Sequence, residues 1–218
     1  MSTLASLDWA AVREHYNRRM RVHKTLLRLH REESISKFAI LALGVDDVDG
    51  NYSAAEHGLG PKILHADFNR DAARRIFDLA GDLKSLSDGL KVPEIIANQP
   101  MKYLKIGIGS ELSCMVNPEY CWVANTRTIW THRVIRHKSI SKADDELKTY
   151  READVSSEMA YQNWTAIHAE LGVALTRIAK DGRTEANKNK IKTGGITYIW
   201  ADAIASALYE ANHGQAKP

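Results

Sequence analysis

Between residues 8 and 33 apolar and charged side chains recur at helical rather than alternating intervals. At about 100° per residue, Trp9, Val12, Tyr16, Met20 and Leu27 gather on one arc. Beside them, Arg13, Arg21, Lys24, Arg28 and Arg31 fall within about 80° of one another. No Gly or Pro interrupts the span, and Asp8 is suited to cap its first turn. The pattern predicts one amphipathic helix, about 39 Å long at a rise of about 1.5 Å per residue. His23 and His30 lie on its apolar side, where a histidine is expected to be hydrogen-bonded within the core rather than bound to a metal.

Further on, periodicity is less decisive. Phe38 to Val45 (FAILALGV) fits a buried strand or a short helix equally well. Asn69 or Asp71 starts a predicted helix that runs to about Leu86. Gly89, Pro93 and Pro100 punctuate the stretch that follows, and KYLKIGI, residues 102–108, alternates as a strand does. Helical patterns then cover residues 119–138, 141–153 and 156–180, the middle one opening on a capping-box-like Ser141 and Asp144. Residues 181–195 read as a lysine-rich loop or a short helix with loop ends, and residues 197–212 as a last helix. The expectation is a mainly α protein, a single helical domain over 1–218 with at most a small β element between residues 38 and 110. Any subdomain boundary is expected near residues 87–102.

Composition narrows the class without naming a function. The 218 residues are 44% hydrophobic and 26% charged, a globular balance that argues against disorder. The longest apolar run, Phe38 to Val45, is far short of the ~18 residues a membrane span needs, so no membrane partner is expected. The first fifteen residues lack a basic segment followed by an apolar one, and two cysteines make no disulfide framework. A cytoplasmic location is the resulting expectation.

Charge is unevenly placed. Residues 13–31 hold seven Lys/Arg against Glu14 (net +6), and residues 127–142 hold five and no acid (net +5). Residues 177–192 hold six against Asp181 and Glu185 (net +4). These segments amount to +15 in a chain of net +3, leaving −12 elsewhere. Such a split makes local positive fields if the segments stay exposed, and is ordinary solvated surface if they are neutralised or scattered.

No specific motif in the chain is complete or rises above chance. Cys114, Cys121, His132 and His137 supply donors suited to tetrahedral zinc, but the six residues between the cysteines exceed a tight knuckle. Arg127 and His132 have the Arg-x4-His spacing of helical RNases of the HEPN type, in which arginine steadies phosphate charge and histidine moves a proton. With 15 arginines and nine histidines, about two such matches arise by chance over the allowed spacings, and two occur, the other being Arg18 with His23. Asp47-Val-Asp49-Gly-Asn51 lacks an EF-hand's Gly at the sixth position and acid at the twelfth. Gly107-Ile-Gly109 lacks the third glycine of a dinucleotide loop, and a lone Glu210-x-x-His213 lacks the partner repeat of a di-iron set. Residues 153–164 are similar to the end of a helix-turn-helix, yet the supposed reading helix carries Glu158 and no base.

The reading that results is a non-enzymatic cytoplasmic binding or regulatory protein that engages a nucleic acid or an acidic protein partner through residues 13–31, 127–142 and 177–192. Arg21, Lys24, Arg28, Arg31, Arg133, Arg136 and Lys138 are the expected contacts, and no cofactor is implied. Two alternatives stand beside it. One is a metal-independent RNase using Arg127 and His132; the other is a protein–protein module with no nucleic-acid role.

Overall fold

The computed structural model describes residues 3–46, 58–65, 71–152 and 158–213. Among these the chain forms ten α-helices and one 3-10 turn, with no strand, so the protein is mainly α. In chain order the helices are α1 (Trp9–Arg31), α2 (Ile35–Ala42), α3 (Leu59–His65), α4 (Ala72–Lys84), α5 (Val92–Ala97) and α6 (Ile106–Val116). They continue with α7 (Thr126–His137), α8 (Ile140–Glu152), α9 (Glu158–Lys188) and α10 (Thr197–His213).

Two compact units make up the fold. The first comprises residues 1–18 and 126–218, the second residues 19–125. Residues 87–102 thus lie inside the second unit, while the divisions fall within α1 and just before α7. Each unit is built on one helix that is apolar nearly all round, and such a helix belongs in a core. In the second unit that helix is α6, buried at every position from Ile108 to Val116. There α4 and α5 pack on α6, and α2 and α3 on α4. In the first unit it is α10, buried without a break from Ile199 to Ser206, against which α7 and α9 pack.

α1 begins where the sequence predicts. The Asp8 carboxylate (Oδ1) accepts from the Ala10 and Ala11 amides at 3.0 and 3.1 Å, satisfying donors that a helix start leaves without partners. Within the first unit, Trp9 stacks on Trp200 and the edge of Tyr16 meets the same ring. The Tyr16 hydroxyl accepts from the Ile196 amide at 3.1 Å, holding the segment that leads into α10. In the second unit His23 donates from Nδ1 to the Met115 carbonyl at 2.7 Å, and His30 stacks on Phe77 with centroids 4.5 Å apart. Both histidines are half-buried, as expected of core-facing groups.

The fold departs from the sequence pattern at several places. KYLKIGI is not a strand: residues 102–105 form a turn and coil, and α6 starts at Ile106. Its alternation was too short to outweigh the continuous apolar run after it, and a lone strand has no ladder to satisfy its backbone groups. FAILALGV resolves as helix, most of it in α2. The pattern over 119–138 becomes helical only at Thr126, because Asn117 donates to the Leu83 and Leu86 carbonyls and ties the preceding turn to the end of α4. Of the lysine-rich stretch 181–195, residues 181–188 continue α9, and the helix ends only after Lys188. Gly182 is tolerated there because the Ile204 side chain fills the place its Cβ would take. α8 opens one residue before Ser141, and the Ser139 hydroxyl accepts from the Lys142 amide at 3.3 Å. Asp144, freed from capping, accepts from Trp130 Nε1 at 2.7 Å instead. The Asp47 loop and residues 153–157 of the helix-turn-helix-like stretch lie outside the described residues.

Candidate functional site

The three basic segments meet different fates. On α1, Arg21, Lys24, Arg28 and Arg31 are all exposed. Their spacing puts them on one side of the helix over about 15 Å. Arg28 Nη1 donates to Glu32 Oε2 at 2.8 Å, an exposed pair one turn apart that trims the charge without hiding it. Arg13, the fifth basic residue of the predicted stripe, belongs to the first unit and donates to the Thr193 carbonyl at 2.8 Å.

The same helix holds an arginine that the predicted stripe leaves out. Arg19 is 1% exposed, and its Nη2 donates to Glu111 Oε1 of α6 at 2.5 Å. Glu111 is equally buried, so two opposite charges face each other inside the second unit. Desolvating both is costly and attraction offsets it only while both are present, which makes the pair a structural lock. A signal for it existed in the sequence. Arg19 lies three residues after Tyr16 and seven before Leu26, on the apolar side, and Glu111 is the one charge in IGIGSELSCMV.

On α7 the bases are paired. Glu170 of α9 takes His132 Nε2 at 2.9 Å and Arg136 Nη1 at 2.5 Å on Oε1, and Arg133 Nη2 lies 3.4 Å from its Oε2. Glu146 of α8 lies 3.0 Å from Arg133 Nε and 2.7 Å from His137 Nε2. Arg127, at the start of α7, pairs with Glu210 of α10 at 3.3 Å. Lys138 remains exposed, in the left-handed turn (φ 52°) that ends α7.

Burial lowers the His132 pKa from its ordinary 6.5, outweighing the opposing bond and charge of Glu170, with the Arg133 and Arg136 charges acting the same way as burial. Neutral His132 therefore donates its Nε2 proton to the carboxylate. Burial alone would raise the Glu170 carboxyl, but the His132 bond and the charges of Arg133 and Arg136 hold it below its ordinary 4.5.

At the end of α9 the pattern is mixed. Lys180, Lys190 and Lys192 are exposed, Lys188 pairs with Glu185 at 2.8 Å, and Arg177 lies 3.8 Å from Asp181. Arg183 is structural, donating from Nε to the Gly194 carbonyl and from Nη2 to the Gly195 carbonyl and Thr197 hydroxyl.

The other candidate sets do not converge in this way. Arg127 and His132 reach different helices, Glu210 on α10 and Glu170 on α9, as a five-residue separation on a helix requires. Cys114 lies in α6 and Cys121 in the coil after it, both fully buried and neither in a disulfide, whereas His132 and His137 sit against their glutamates in the other unit. Burial pushes the Cys121 thiol up to about 12, with the Ser113 hydroxyl bond opposing, so it stays protonated and is a poor metal donor. Among the described residues no three His, Cys, Asp or Glu side chains gather as a metal-binding group. His213 stacks on Tyr209 and lies 3.2 Å from Asp144, while Glu210 faces Arg127. Gly109 packs inside α6, where a Cβ would collide with the Ile96 side chain, so its role is close helix packing.

No protein-family model matches the chain, and no curated protein or solved structure matches it significantly. Among the described residues no helix is long and apolar enough to cross a membrane.

Proposed function

We propose that this is a cytoplasmic, non-enzymatic binding protein whose α1 stripe, Arg21, Lys24, Arg28 and Arg31, docks on the phosphodiester backbone of a nucleic-acid duplex. The observation that carries the reading is a row of four exposed cations over about 15 Å of one helix. A duplex presents one negative charge per about 1.7 Å of its axis, so a row of that length has an anion within reach of each side chain.

The stripe favours phosphate over a protein surface for a specific reason. Protein partners are held by buried aromatic or aliphatic anchors, and the exposed large hydrophobic residues of the described chain, Leu90, Tyr120, Ile140 and Val173, all lie off α1. Single-stranded nucleic acid calls for aromatic platforms on which bases stack, and the stripe offers none. A backbone contact without base readout is what remains, and it is sequence-tolerant.

Four phosphate contacts give an affinity that falls with salt at a log–log slope of roughly −3.6. Between about 50 and about 200 mM salt, binding to a short duplex should weaken about a hundredfold. An affinity that stays flat across that range contradicts the reading. Equal affinity for polyglutamate at the same salt points instead to an acidic protein partner.

A further inference from the structure

α7 carries a second set of cations whose only acids come from elsewhere in the chain. Residues 127–142 contain none, yet Arg133, Arg136, His132 and His137 each face Glu146 or Glu170. The outer edge of the cluster is at the surface, while Arg133 and His132 lie beneath it with side chains 10% and 12% exposed. The Arg136 side chain is 53% exposed, Glu170 37% and Glu146 42%. A pair that is buried and dry, as Arg19 and Glu111 are, is costly to break, whereas exposed pairs add little to holding helices together. Here Glu170 holds the Arg136 guanidinium in water, at the position a phosphate oxygen would take, while Arg133 beside it lies nearly buried beneath the two carboxylates.

We infer that Glu146 and Glu170 are internal phosphate mimics that mask a second duplex-binding surface on α7, an autoinhibitory contact from α8 and α9. The inference rests on the reading that the protein binds duplex backbone, and extends it to a site that is closed in the folded chain. Glu170 is the principal mask, because among the described residues it is the carboxylate that meets Arg136, the most exposed cation of the cluster. Displacing either carboxylate, by a competing anion or by a shift of α8 or α9, opens the surface.

The test uses the full chain with Arg21, Lys24, Arg28 and Arg31 all changed to Gln, so that only α7 is interrogated. Fluorescence anisotropy with a short duplex DNA is read at about 50 and about 200 mM salt. Adding Glu146→Gln and Glu170→Gln should tighten binding, and the gain should grow about threefold per freed contact as salt falls over that range. Adding Arg136→Gln should then reverse much of it. Unchanged affinity and slope on removing the glutamates overturn the inference, as does a gain that survives Arg136→Gln or one seen with polyglutamate but not DNA.

Helical circular dichroism checks that each variant is folded. If the double change unfolds the chain, Glu170→Gln alone carries the same requirement, since Glu146 still holds Arg133 and His137. Failure of the α1 reading is seen separately, as equal affinity of the native chain and the four-fold Gln variant.

Discussion

Arg21, Lys24, Arg28 and Arg31 line an open side of α1, whereas Arg133, Arg136, His132 and His137 on α7 are met by Glu146 and Glu170. Both segments are written as basic runs beside apolar positions, and the α7 run is the purer of the two, having no acid at all. The difference lies in what the fold brings to them. Glu170 reaches His132 across 38 residues of sequence, a distance at which no window of charge counting operates. Local net charge therefore says where cations are, and only packing says which of them a ligand meets.

The largest expected effect contrasts two arginines on α1 itself. Glu111→Gln leaves Arg19 charged and buried without its carboxylate, which should cost about 3–5 kcal/mol in chemical denaturation. Arg21→Gln, two residues along and exposed, should change stability by less than about 0.5 kcal/mol. Similar costs for the two would mean that Arg19 and Arg21 do not differ as described.

A second contrast is in pH. The α1 stripe consists of Arg and Lys alone, whereas the α7 cluster includes two histidines. His132 titrates lower in the folded chain than its ordinary 6.5, so the unfolded chain takes up the proton first as pH falls. Its contribution to stability is complete above about 6.5 and is lost as pH drops through the lowered folded value. His30, lowered chiefly by burial with the Lys84 charge adding to it, acts in the same window. Glu170, held below 4.5, adds a further loss at lower pH. Thermal midpoints should fall from pH 7 to pH 5, with a shallower fall in His132→Gln. A midpoint that rises on acidification would contradict both shifts.

The smallest effect concerns how α1 is placed. Asp8→Ala removes the acceptor for the Ala10 and Ala11 amides and should cost about 1 kcal/mol. The stripe lies more than three turns beyond that cap, so duplex affinity should stay unchanged in the same variant. A large loss of binding would show that the stripe depends on the first turn.

Much of the helical architecture was legible because caps and periodicity are local. Asp8 marks the start of α1, the last helix was expected over 197–212 and spans Thr197–His213, and α8 opens one residue ahead of its predicted span. What failed to show depends on contacts between distant segments. KYLKIGI alternates, yet burial of the run from Ile108 to Val116 commits it to leading into a helix. The cysteines and histidines of residues 114–138 read as one motif, but Asn117 breaks the segment and the fold assigns its halves to different units. Of the expected contact residues, the four on α1 and Lys138 are exposed as the pattern implied. Arg133 and Arg136 are paired, and nothing within 127–142 announces their partners.

The central claim is that four exposed cations on α1 contact phosphate, and the most direct test compares two salt slopes. For the native chain, log affinity for a short duplex DNA should fall against log salt with a slope of roughly −3.6, and for the variant with all four changed to Gln it should be nearly flat. The same slope in both proteins would contradict the account, because the phosphates would then be met by some other part of the molecule.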